Sequence, residues 1–219
     1  MTSPPKPLTR DRIVDTARTV ADNGGLPSLT MRSLAKELAV TPMALYRYVS
    51  NKDALLDAMV DDIFSLIRQP NPDQDWREEL YQRCISARKV LLAHPWAIGL
   101  LDSRTNPGEA NMAHHEAVLA TLRSAGFSVD ATAKSFALLD AYVYGFTLQE
   151  HSLPINNAED SKEVIDDIAA QLSPALFPRL VEISTELVMQ PDWRFGDQFD
   201  FGLNIILDGI SAHLPRTDR

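Results

Sequence analysis

The chain of 219 residues has one cysteine, Cys84, so no disulfide can form within it, which fits a reducing cytoplasm. No stretch reaches about 18 uncharged apolar residues, so no membrane-spanning helix is expected. The opening MTSPPKPLTR lacks the apolar run of a secretory signal. Also missing are Gly-x-Gly-x-x-Gly, a Walker sequence and Gly-x-Ser-x-Gly, and no glutamate has a histidine three residues on, as a di-iron bundle requires. These absences argue against an enzyme and against a bound cofactor or metal. HHE at 114–116 is the most metal-like cluster, but neighbouring helical residues diverge by about 100°, so His114 and His115 do not readily share one ion. His94, His151 and His213 fall at helix ends, where they can bond to terminal carbonyls.

What the chain does have is an uneven charge. The net charge is −9, yet residues 1–55 carry eight Lys/Arg against five Asp/Glu, and the remainder carries 13 against 25. A small basic head joined to an acidic body implies different partners for the two parts.

Helix signals follow one another along the chain, with no alternating strand segment and no repeat, so the expected fold is all-α. Thr9 caps a first helix with an apolar stripe at Ile13, Ala17, Val20 and Ala21, stopped by Asn23-Gly24-Gly25. Thr30 caps a second, with Leu34, Ala35 and Leu38 inward. Ala-Val-Thr is a tight connection, and Thr41-Pro42 opens a third helix that runs to about Val49. Ser50 is expected to cap the fourth, with Asp53 three residues on in a near capping box. Leu55, Leu56, Met59, Ile63, Leu66 and Ile67 form its apolar side. QPNPDQD at 69–75 marks the main boundary. Further helices are expected over 75–93, near 96–102, and over 108–125, 129–152, 163–172, 175–189 and 193–214, with a polar loop at 156–163.

Two short helices joined by a tight turn, with a third ahead of them, form a helix-turn-helix over about 30–49. At about 100° per residue from Pro42, Leu45 and Val49 lie at about 300° and 340° and must face the first two helices. Arg47 points the opposite way, with Met43 and Ala44 beside it and Tyr46 and Tyr48 on the flanks. A recognition helix needs this distribution, with base edges read at its centre and phosphates bonded at its sides. Arg47 can pair with guanine O6 and N7. Thr30, Arg32 and Lys52 add contacts at the starts of the second and fourth helices. Taken singly, a tyrosine usually packs against the protein; here leucine and valine already fill the inward face.

The segment LTMRSLAKELAVTPMALYRYVSNKDALLDAM closely resembles the DNA-binding segment of the tetracycline-repressor (TetR) family. Its Leu34-Ala35 pair, its core over residues 40–48, its Asn51-Lys52 and its Ala54–Asp57 stand where that family has them. The resemblance implies that Thr30, Arg32, Thr41, Pro42, Met43, Ala44, Tyr46, Arg47, Tyr48 and Lys52 occupy positions used for operator contact. Arg47 stands where the family often has an aromatic residue, so phosphate roles carry over better than base preference. The implied domains are a DNA-binding head at 9–68, whose fourth helix links it to the body, and an effector-binding and dimerisation domain at 69–215.

The 129–152 and 193–214 helices are apolar on nearly every side, as expected of helices buried on two faces. In the last, Phe199, Leu203, Ile206, Ile210 and Leu214 make one face, and Gly202, Gly209 and Ala212 lie toward another. The alternative is a large monomeric core, but one recognition helix alone binds weakly. The body also looks like the effector domain of the tetracycline-repressor branch. That implies a homodimer joined by a four-helix bundle, a palindromic double-stranded operator and a small-molecule pocket. Candidates for the pocket are Trp96, Leu100, His115, Leu119, Tyr142, Phe146 and Gln149. Arg68 stands where one of the tetracycline repressors' drug- and magnesium-holding histidines is, and Leu100 near another, which argues against that ligand; the aromatic, weakly charged candidate set favours a largely apolar one. A ligand that prefers wider-spaced heads must lower operator affinity. The rival readings are a helix-turn-helix that contacts protein, and a ligand-independent or activating regulator.

Overall fold

The computed structural model describes residues 7–101, 103–153, 173–190 and 192–214. Among these residues the secondary structure is helical, without a strand. The expected helix at 163–172 and the loop at 156–163 lie outside them. The chain divides into two units, one up to Phe136 and one from Ala137.

In the first unit, α1 (Arg10–Ser28) is capped by Thr9, whose side chain accepts from the Arg12 N–H. Its regular course breaks at Gly25, where φ is 69°, a backbone that glycine alone adopts freely, so the expected stop is real and residues 26–28 form a further turn. α2 (Met31–Glu37) has a full capping box: Ser33 N–H donates to Thr30 Oγ1 and Thr30 N–H to Ser33 Oγ, each at 2.9 Å. α3 (Pro42–Leu45) is shorter than expected. Its last turn tightens, with Tyr48 N–H donating to Leu45 O at 2.9 Å and Val49 N–H to the same oxygen at 3.1 Å. The winding still carries Leu45 and Val49 inward.

α4 (Lys52–Leu66) is capped by Asn51, not Ser50: Asn51 Oδ1 accepts from the Ala54 N–H at 2.8 Å. Asn51 holds extended backbone and brings a side-chain acceptor to the third helical amide, so the helix starts one residue later and the Asp53 box does not form. Leu66, expected inward, is 44% exposed. The head core joins Ile13, Val14, Ala17, Leu34, Leu38, Leu45, Val49, Leu55 and Met59.

The turn between α2 and α3 holds Ala39 at φ 56°, a left-handed backbone that costs an L-residue about 1–2 kcal/mol. Ala39→Gly removes that strain against a smaller loss in the unfolded chain. It is expected to stabilise the head by about 0.5–1 kcal/mol, read as a rise in thermal midpoint; an unchanged or lower midpoint would show the turn to be unstrained.

α5 (Trp76–Ala93) is capped by Asp75, whose carboxylate accepts from the Glu78 N–H at 2.9 Å. A 3-10 turn, Pro95–Ala97, follows it. α6 (Glu109–Ser124) packs on α4 and α5. α7 (Val129–Ser152) opens in the first unit and closes in the second. The second unit continues with α8 (Pro178–Ile183), a π-helical stretch at Ser184–Val188 and a 3-10 turn at Phe195–Asp197. α9 (Gln198–Ser211) starts later than expected because Arg194 is extended and Trp193 closes a turn onto Gln190. Its buried face is Phe199, Leu203, Leu207 and Ile210, with Ile206 only half-buried. Gly202 is met by the Tyr142 hydroxyl, so a side chain, not a neighbouring backbone, makes the close approach there.

Candidate nucleic-acid interface and effector region

The two faces of α3 and its closing turn separate sharply. Leu45 and Val49 are 0% and 3% exposed, whereas Met43, Tyr46 and Tyr48 are 74%, 45% and 42% exposed. Arg32, Thr41, Pro42, Arg47 and Lys52 are also exposed, and Ala44 is partly covered. Thr41 caps α3 by backbone conformation alone, with no side-chain cap hydrogen bond. The hydroxyl of Thr30, by contrast, serves the capping box and fixes where α2 begins, placing Arg32 in its first turn. A row of two tyrosines, an arginine and a methionine therefore stands on α3 and its closing turn, whose other side is locked into the head core.

The effector candidates fall in different surroundings. Trp96 packs against the head core, and its indole N–H donates to Asp22 Oδ1 at 2.7 Å, an oxygen that also lies 2.7 Å from His94 Nδ1. Leu100 follows in the next turn, with its N–H bonded to Ala97 O. His115 and Leu119 are partly buried one turn apart on α6, and the His115 ring meets Phe64 and Phe136 edge-on at 5.3 and 5.1 Å. In the second unit, Tyr142 and Phe146 belong to an aromatic cluster: Tyr142 stacks on Phe199 at 5.2 Å and Phe146 on Phe195 at 4.8 Å. The Tyr142 hydroxyl donates to Phe199 O at 2.8 Å. Gln149 is exposed. An open groove of about 780 Å³ runs along α1 and α4 past Val14, Arg18, Ala58, Asp61 and Asp62, and none of the seven candidates lines it.

The most unusual buried chemistry is a pair that the sequence reading left out of the site. Arg83 and His114 are both fully buried, and Arg83 Nε donates to His114 Nε2 at 3.0 Å. A ring nitrogen that accepts is unprotonated, so the proton of neutral His114 sits on Nδ1. Burial first, then the charge of Arg83, then His115, push the His114 pKa down to about 3. His114 Nδ1 and, three residues earlier on α6, the nearly buried Asn111 Oδ1 find no hydrogen-bond partner among the described residues. The signal for Arg83 is present in the sequence: it interrupts the otherwise apolar stripe Leu80, Cys84, Ala87 and Leu91 of α5.

Arg68 closes the far end of α4. Its Nη2 donates to Glu79 Oε1 at 2.7 Å, and the Asn71 N–H donates to Glu79 Oε2 at 2.8 Å. The Arg68 bond first, then that of Asn71, hold the Glu79 carboxyl below the usual carboxylate range, against the opposing effect of burial. Among the described residues no group of three His, Cys, Asp or Glu is placed to hold a metal ion, and no helix is long and apolar enough to cross a membrane.

Known proteins share both the sequence and the architecture. The profile of bacterial regulatory proteins of the tetR family matches residues 13–59, and that of the tetracyclin repressor-like C-terminal domain matches residues 69–214. The chain is similar to the HTH-type transcriptional repressor DrrR1 of Streptomyces coeruleorubidus, at 32% identity over 95% of this chain and 79% of that protein. It is similar in structure to the TetR family protein ActR of Streptomyces coelicolor in complex with actinorhodin, at 31% identity and TM-score 0.77, over 94% of this chain and 98% of that one. BioQ with its double-stranded DNA operator is also similar, at 28% identity and TM-score 0.65, over 94% and 100% of the two chains. The chain belongs to the tetR family of bacterial regulatory proteins.

Proposed function

We propose that the protein is a repressor that binds a palindromic operator as a homodimer and leaves it when a small molecule occupies its body. The observation that carries this is the exposed face of Met43, Tyr46, Arg47 and Tyr48 set over the buried Leu45 and Val49. Head and body divide near residue 68, a boundary supported by the separate family profiles at 13–59 and 69–214. Similar proteins have been crystallised with an operator and with a small molecule, BioQ and ActR respectively.

A second copy of the chain covers apolar surface in the second unit. Leu138 and Leu148 of α7 and Phe201 and Ile205 of α9 are 48%, 52%, 70% and 55% exposed, a load of apolar surface typical of an interface. Two recognition helices about 34–36 Å apart then meet successive major grooves. The stacked rings around Tyr142 and Phe146 support a largely apolar effector, as does the ring cage of His115.

Within this reading Arg47 reads a base and Lys52 holds a phosphate. Arg47→Ala is expected to cost about 1–3 kcal/mol against one operator base pair and to relax preference there. Lys52→Ala is expected to weaken all sequences alike and flatten the salt dependence. Competition binding across a panel of single-base operator variants separates the two. Identical profiles for both variants would remove base reading from Arg47.

A further inference from the structure

α4 carries Asp53, Asp57 and Asp61 at successive one-turn intervals, so their side chains share one line along the helix. One short segment ahead of and within the start of α6 engages all three. Arg104 Nε donates to Asp57 Oδ1 at 2.6 Å and its Nη2 to the Asp53 carbonyl at 3.0 Å, with the Asp53 carboxylate 3.6 Å away. Both side chains of the Arg104–Asp57 pair are sheltered, at 17% and 18% exposed. Further along, the Asn111 N–H donates to Asp61 Oδ1 at 2.8 Å.

That last bond has a specific meaning. The N-cap residue of α6 is Gly108, which has no side chain to cap with. Asn111 is the third residue of the helix and bears an amide that an N-cap side chain commonly satisfies. Asp61, from another helix, caps α6 across space and sets its negative charge at the positive end of the helix dipole. Gly108 makes room for it, since a Cβ there would lie 2.1 Å from Asp61 Cγ and 2.3 and 2.4 Å from its oxygens. The ladder joins parts with different assignments. Asp53 and Asp57 fall in the stretch matched by the DNA-binding profile, and Arg104, Gly108 and Asn111 in the stretch matched by the effector-domain profile. Asp53 also adjoins Lys52, the proposed phosphate contact at the DNA end of α4.

We propose that this ladder is a latch: Asp57, Asp61, Arg104 and Gly108 are positioning residues that hold α4 in one pose and so set operator affinity before any effector binds. The proposal rests on the operator-binding reading above. An unlatched α4 samples more orientations, and the freedom lost on binding DNA then weakens the complex.

Three substitutions break the latch with different effects on charge. Arg104→Gln removes a positive charge, Asp57→Ala removes a negative one together with the acceptor for Arg104 Nε, and Gly108→Ala changes none while displacing the Asp61 carboxylate. Gly108 has an extended backbone, at φ −82° and ψ −179°, which alanine tolerates. Each full-length variant is titrated, at fixed salt and without small molecules, against the duplex that the wild type selects from genomic DNA. All three are expected to bind about five-fold more weakly or worse. Asp61→Asn, which keeps an acceptor for the Asn111 N–H, is expected to stay within about two-fold of wild type, while Asp61→Ala joins the weak group. Amide exchange of α4 and of the first turn of α6, read on the same proteins without DNA, is expected to accelerate in the weak group only.

If Arg104→Gln and Asp57→Ala instead shift affinity in opposite directions and Gly108→Ala matches wild type, these residues act by charge alone and the latch is overturned. If the wild type selects no DNA, the operator reading fails by itself. The exchange data then decide the hold on α4 separately: faster exchange in Arg104→Gln, Asp57→Ala, Gly108→Ala and Asp61→Ala sustains that hold, and unchanged exchange overturns it.

Discussion

Leu45→Ala is expected to destabilise the head by about 2–5 kcal/mol and to abolish operator binding near physiological temperature. Leu45 is fully buried in the core shared by α1, α2, α3 and α4, so truncation loses its transfer energy and leaves a cavity. Met43, two residues away and 74% exposed, is the matched control. Met43→Ala is expected to change stability by less than about 0.5 kcal/mol while altering affinity for DNA. Thermal melts with operator titrations test both. If the two substitutions destabilise equally, the division of α3 into a locked face and a reading face is wrong.

The second large effect is with acid. His114 has its pKa lowered to about 3 in the fold, against about 6.5 in an unfolded chain. Between those values the unfolded state takes up a proton that the folded state refuses, so stability falls as pH drops. The contribution is fully present above about pH 6.5 and is lost by about 1.4 kcal/mol per pH unit below it, or about 2 kcal/mol by pH 5. His114→Gln can still accept from Arg83 but cannot titrate. Urea unfolding measured from pH 7 to pH 5 is expected to show a slope shallower by about one proton in this variant. Equal slopes would mean that His114 takes up its proton while folded.

The head was legible because local chemistry decides it: caps at Thr9, Thr30 and Thr41-Pro42, glycine at the end of α1, and leucine and valine at helical intervals. Its misses were also local. Ser50 and Asn51 are both good caps, and sequence alone cannot choose between neighbours; backbone conformation at Asn51 does. Ala39 gives no sign of a left-handed turn, because alanine rarely adopts one. The body was legible in the boundaries of α5, α6 and α7, less so in its later helices and in its sites. Trp96 reads as an aromatic pocket residue, yet its partner Asp22 lies 74 residues earlier in the chain. The Arg104–Asp57 and Asn111–Asp61 bonds span 47 and 50 residues, distances over which periodicity carries no information. Helical pattern shows which face is apolar; it does not show which neighbour covers that face.

The central claim is that the exposed face of α3 meets the DNA backbone and bases. Its most direct test is the affinity of the purified protein for its selected duplex across a salt series. In the proposed homodimer Arg32, Arg47 and Lys52 come from each of two protomers, and the logarithm of affinity is then expected to fall linearly with the logarithm of salt. A loss of about a thousand-fold between about 50 and 200 mM is expected. A complex insensitive to salt, or no complex at all, would contradict the account and leave the helix-turn-helix as a surface for another protein.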